Sequence, residues 1–308
     1  MVLATLSETP LVVLATCTAG AVFLLIGAWA ARKEIAQARG ADKIVALGNI
    51  CIAVPLAVFG AEHLFGVELV VDAVPKFMPW PLFWAYFVGV ALLAAALSIA
   101  TKIAVRWSGL LFGVMMFLFV AMIDLRGTLA HPQNRFFWAL TLREAAFGGT
   151  GLILAGRAMA GRGRGQATLI TIGRIVLGVT AIFYGIEHFL HPTALPGVPL
   201  EKEMPEWIPG RMLIDYVTGA ALLVGGGSFL LNWRTRTVAT CVGGWILLLV
   251  LVIYGPVLVD ALATPKMAVQ MVGINYFFDT LLFAGAILAL ARAMAKPVTN
   301  TRGGEPRG

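Results

Sequence analysis

Gly60-Ala61-Glu62-His63-Leu64-Phe65 returns, slightly altered, as Gly185-Ile186-Glu187-His188-Phe189-Leu190. Each copy closes a long apolar run and precedes a Pro-rich segment. These segments are Val74-Pro75-Lys76-Phe77-Met78-Pro79-Trp80 and Met204-Pro205-Glu206-Trp207-Ile208-Pro209. A new apolar run then opens with Tyr86-Phe87-Val88-Gly89 or Tyr216-Val217-Thr218-Gly219. Both halves end alike, on Gly156-Arg157-Ala158-Met159-Ala160 and Ala291-Arg292-Ala293-Met294-Ala295. The spacing is 125 residues at the Glu-His pair (60 to 185), 130 at Tyr-x-x-Gly (89 to 219) and 135 at the closing Arg (157 to 292). Two small insertions in the second copy account for the drift, so the sequence reads as an internal duplication.

Of 308 residues, 59% are hydrophobic and only 13% charged, against roughly 25% charged in a soluble domain. Several apolar runs approach the roughly 20 residues needed to cross a bilayer. Backbone groups in lipid must be satisfied within the segment, so each run is expected to be a helix. The fold class is therefore all-α, a polytopic transmembrane helical bundle. The net charge of +7 is spread over short basic clusters between apolar runs, which is an orientation signal. The expected partner is a lipid bilayer, with no nucleic acid. Cys17, Cys51 and Cys241 form no Cys-x-x-Cys and lie in apolar runs, where cysteine acts as a small hydrophobe.

Nine runs are legible, at roughly 11–31, 44–65, 80–100, 103–123, 136–156, 169–190, 211–231, 238–259 and 269–291. No Lys or Arg precedes the first, whereas Arg32, Lys33, Arg39 and Lys43 follow it, so it is an uncleaved helix with its N-terminus outside. Basic residues recur at every second boundary, which places the C-terminus in the cytoplasm. The divisions are 1–43, a first helix with its basic loop; 44–168, the first four-helix repeat; 169–296, the second; and 297–308, a disordered polar tail. Four spans per repeat give both copies one orientation, related by a pseudo-twofold axis along the membrane normal.

The order Gly-x-x-His-Phe, Pro/Trp-rich loop, Tyr-x-x-Gly and basic turn resembles the DoxX-like family of small four-helix membrane proteins. Gly185, Glu187, His188, Phe189, Pro205, Trp207, Pro209, Gly219 and Arg236 carry the likeness best. The resemblance covers roughly 44–296 and leaves the first helix outside it. It implies a bacterial-type plasma (inner) membrane protein, an accessory or quinone-linked component of a membrane redox system, working with a redox partner subunit. The alternative is a non-enzymatic carrier, assembly factor or scaffold that binds a lipid or a partner protein.

Ionisable residues inside spans are costly and are candidates for function. The catalytic candidates are Glu187, His188 and Asp279, with Glu62, His63 and Glu144 as the first-half set. A histidine beside a carboxylate suits proton exchange with a quinol. The competing reading is that each pair satisfies helix ends and locks the halves together. A quinone or lipid ligand is expected at His188, between Trp207 and Tyr216, beneath a lid formed by loop 191–210. Alignment sets Arg143 against Phe278, so the second half is expected to lack that cation, and Arg211 is placed to pair with Asp215. No zinc-type spacing occurs, and no metal site is expected. The tryptophans read as an interfacial belt, and the Gly clusters as places of close helix contact.

Overall fold

The computed structural model describes residues 10–159, 161, 163–198 and 201–295. Nine long helices hold most of these residues: α1 Leu11–Gln37, α2 Asp42–Phe65, α3 Pro81–Thr101, α4 Val105–Ala130, α5 Arg135–Arg157, α6 Arg164–Leu190, α7 Arg211–Leu231, α8 Thr235–Leu262 and α9 Met267–Ala293. All but α5 are long and apolar enough to cross a membrane. The 23-residue α5 carries Arg135, Arg143, Glu144 and Arg157. Among the described residues there is no named strand, only one isolated antiparallel bridge, Ala194 with Glu203. The protein is an all-α, multi-pass membrane helical bundle. The expected tail over 297–308 lies outside the described residues, as do Arg162, Lys296, Arg302 and Arg307.

Local chemistry explains the helix ends. Pro81 opens α3 at a position where a missing N–H costs nothing. The turns between α3 and α4 and between α7 and α8 are so tight that residues on both sides enter the left-handed region. Lys102 (φ 64°) and Ala104 (φ 56°) bracket the first, Asn232 (φ 52°) and Arg234 (φ 47°) the second. Each such non-glycine residue costs about 1–2 kcal/mol, and each turn is offset by a serine bond: Ser98 Oγ donates to the Ile103 carbonyl, and Ser228 Oγ to that of Trp233.

These turns are 130 residues apart (102 to 232), and other features recur at 125 or 130 residues. A π turn at Val120–Asp124 in α4 returns at Val250–Tyr254 in α8. Asn49 of α2 donates to the Ile99 carbonyl, and Arg174 of α6 donates to that of Phe229. Gly60 meets Gly89 where α2 crosses α3, and Gly185 meets Gly219 where α6 crosses α7.

Helix pairing follows the same rhythm. α2 packs on α3 and α6 on α7; α4 packs on α5 and α8 on α9. Between halves, α5 lies against α6 and α9 against α2, while α5 and α9 meet in the middle. α1 rests on α2 and leaves Leu24, Leu25 and Trp29 outward. Lipid is as apolar as leucine, so association in a bilayer relies on close backbone approach and hydrogen bonds. A Cβ on Gly173 would stand 2.3 Å from the Gly149 carbonyl across the α5–α6 seam, and one on Gly151 2.5 Å from that of Gly109. Polar seams add Thr180 to the Leu142 carbonyl (3.1 Å) and Tyr184 to that of Ala139 (2.9 Å). At the basic end Glu34 accepts from Lys102 at 2.6 Å and from Arg292, tying α1 to α3 and α9.

Candidate functional site

The two linkers that follow the Glu-His pairs behave differently. In the first half, Val67–Val70 and Val71–Ala73 form two short helical turns, and neither contributes a buried residue. In the second half the chain after His191 turns into the bundle. Ala194, Leu195, Val198, Met204 and Ile208 are buried, the last four in the same core as α6 to α9. Backbone bonds from Leu195 to Lys202 (2.9 Å) and from Met204 to Thr193 (2.7 Å) hold the turn closed. The described residues of loop 191–210 thus form a plug and not the expected lid.

His188 serves that plug. Its ring is fully buried; Nε2 accepts the Gly197 N–H at 3.0 Å, and Nδ1 stands 3.1 Å from Asp215 Oδ1 without the alignment of a hydrogen bond. Tyr254, the last residue of the α8 π turn, donates to the Pro196 carbonyl at 3.0 Å. The expected ligand site at His188, Trp207 and Tyr216 does not assemble. Trp207 is 54% exposed, Tyr216 stacks on Phe189 at 5.6 Å, and the plug separates His188 from open space. Nor does Arg211 pair with Asp215; its guanidinium donates to the Met204 carbonyl at 3.0 Å. Glu187 points elsewhere, toward Arg135 (3.3 Å) and His191 (3.7 Å).

In the first half the corresponding space is a cavity of about 320 Å³ between α2, α3, α4, α5 and α9. Its body is apolar, with Leu56, Phe59, Leu92, Phe112, Phe119 and Phe147 among the walls. Polar groups gather on it: Glu62, His63, Arg143, Glu144, Asn275 and Asp279. Arg143 donates from Nη2 to Glu144 Oε1 at 2.7 Å, from Nε to the same oxygen at 3.2 Å, and from Nη1 to Asp279 Oδ2. Asn275 Nδ2 donates to Glu62 Oε1 at 3.3 Å. His63 Nδ1 donates to the Phe59 carbonyl one turn back at 2.8 Å.

Four of the six catalytic candidates therefore share one site: Glu62, His63, Glu144 and Asp279. Glu187 and His188 stand apart from it. The expectation that Asp279 has no cation is corrected, because α5 and α9 are neighbours and Arg143 of one half reaches Asp279 of the other. Asn275, Asp124, Arg174 and Tyr254 escaped notice in the sequence. The interval of 130 from Asp124 to Tyr254 is the signal that pairs those two.

Among the described residues, no three His, Cys, Asp or Glu side chains gather to hold a metal ion. No family model, curated protein or solved structure matches the chain.

Proposed function

We propose that the first-half cavity binds a lipid-soluble ring compound of the quinone class, and that the protein is an accessory component of a membrane redox system. The observation that carries this reading is the character of the cavity. Aromatic and aliphatic walls surround a ring-sized space, and ionisable groups line one part of it. At about 320 Å³ it falls at the lower end of the ~300–1,000 Å³ typical of small-molecule sites. Glu62 and His63 are placed to exchange protons with the ligand's oxygens, while the Arg143–Glu144–Asp279 set fixes the charge balance. Electron transfer is left to a partner subunit. The resemblance to DoxX-like proteins supports the same assignment, with a bacterial-type plasma membrane as the setting and an external N-terminus.

Calorimetric titration of the full chain in nanodiscs with a short-chain benzoquinone and its reduced form tests this reading. At least one form should saturate at one site per chain. His63→Ala and Glu62→Gln should weaken it at least about tenfold, a loss typical of a buried hydrogen-bond partner, with the unfolding temperature preserved. If neither form saturates, the carrier or scaffold alternative takes precedence.

A further inference from the structure

At the basic end of the bundle a cavity of about 550 Å³ lies between α1, α2, α8, α9 and the end of α3. Ala30, Ala38, Val45 and Ala46 supply its apolar part. Four cations line it, Lys33, Lys102, Arg236 and Arg292, against two carboxylates, Glu34 and Asp42. Both carboxylates are already engaged. Glu34 accepts from Lys102 and Arg292, and Asp42 accepts from Arg236 at 2.8 Å. Lys33 makes no ion pair among the described residues. Four cations against two carboxylates leave the lining a formal surplus of two positive charges. Arg157, the counterpart of Arg292 in the first half, adds to that field. It stands within electrostatic reach of Arg292 and Glu34 without lining the cavity. Like charges gathered in one place repel, and an anion among them relieves the repulsion.

Two further observations say what kind of anion fits. The first is depth. Trp29, Trp107 and Trp233 are exposed at this end, and the guanidinium groups of Arg32, Arg106 and Arg234 lie over their rings at 4.2, 5.0 and 5.2 Å. Exposed tryptophans beside arginine mark the headgroup layer of a bilayer. Ala30 and Arg236 of the cavity follow Trp29 and Trp233 by one and three residues, so the cavity shares that layer. The second is the face of α1. Leu25, Trp29, Lys33 and Gln37 succeed one another at intervals of four and form one row on the helix. Leu25 and Trp29 are exposed, and Lys33 and Gln37 line the cavity. An apolar row therefore leads from hydrocarbon depth to the charged cavity.

We propose that this cavity binds an anionic phospholipid, with the phosphate among Lys33, Lys102, Arg236 and Arg292 and an acyl chain along the outward row of α1. Basic pockets between transmembrane helices suit such headgroups, and guanidinium groups offer paired donors to phosphate oxygens. The bound lipid bridges α1 to both halves, because Lys102 follows α3 of the first and Arg236 and Arg292 belong to α8 and α9 of the second. This site is separate from the first-half cavity and does not depend on its ligand.

The test is native mass spectrometry of the full chain in a non-ionic detergent, with phosphatidylglycerol and phosphatidylcholine of identical acyl chains. The first phosphatidylglycerol should bind about tenfold more tightly than phosphatidylcholine. Lys33→Ala should weaken it about fivefold, the worth of one cation near an anionic lipid. Arg106→Gln removes a cation from the same end but away from the cavity lining, and should leave binding unchanged. Inorganic phosphate at the same concentration should not displace the lipid. Equal affinity for the two lipids, or equal loss in the two variants, overturns the site. Displacement by inorganic phosphate overturns the assignment to a lipid. The comparison of the two lipids uses the unaltered chain, so it remains decisive if a variant does not fold.

Discussion

His188 accepts the backbone N–H of Gly197 at 3.0 Å, and this bond fastens a loop into the middle of a membrane bundle. The imidazole is fully buried, as is Asp215 beside it. His188→Ala removes the acceptor and leaves the buried Gly197 N–H stranded. The expected loss of stability is about 1–3 kcal/mol, the cost of one unsatisfied buried group. Thermal unfolding in detergent reads the loss directly. Limited proteolysis should open new cuts within 191–210. An unchanged unfolding temperature would refute the anchoring role.

Arg143 stands between Glu144 and Asp279. Arg143→Ala leaves two carboxylates without a cation and should cost about 3–5 kcal/mol. Asp279→Asn keeps an acceptor in place and should cost only about 1–2 kcal/mol. The ordering is the test: equal losses of folded protein in the two variants contradict the geometry.

Gly173 and Gly227 separate packing from propensity. A methyl group on Gly173 collides with the Gly149 backbone, whereas one on Gly227 meets nothing within 4 Å. Gly173→Ala should cost about 1–3 kcal/mol through forced separation of α5 and α6. Gly227→Ala should be neutral, or stabilising by up to ~1 kcal/mol, since alanine favours a helix over glycine. Chemical unfolding of both variants checks the pair.

Reporter fusions test orientation. Fusions after Lys43 and Arg164 should read cytoplasmic, and fusions after Lys76 and Pro265 external, following the basic bias of alternate loops. Pro265 is a better external site than Glu203, which pairs with Ala194 across the plug. An external signal after Arg164 would reverse the assigned topology.

Much of the bundle was legible because apolar runs of bilayer length leave few alternatives. Helix ends drifted outward from the runs, as at Arg164 and Arg135, because long charged side chains can reach the interface from inside a helix. The duplicated Glu-His pair drew attention to the right positions. It did not reveal that the copies have different tasks. That difference depends on Leu195, Val198 and Met204 filling a core, and apolar residues in a Pro-rich loop carry no periodicity to announce it. The Arg143–Asp279 pair was missed for a related reason. Aligning two copies compares each residue with its counterpart, whereas the fold sets α5 beside α9 and pairs residues that are not counterparts.

The plug also sets an order of events during biosynthesis. The Pro196 carbonyl finds its donor in Tyr254, 58 residues further along the chain, and the Gly197 Cα packs where a Cβ would meet Thr280 of α9. A chain emerging from its N-terminus inserts α6 and presents this loop before α8 and α9 exist. The loop must wait in the aqueous phase while its anchors are synthesised. Closure of the second half is therefore a late step, completed only after the last helix has entered the membrane.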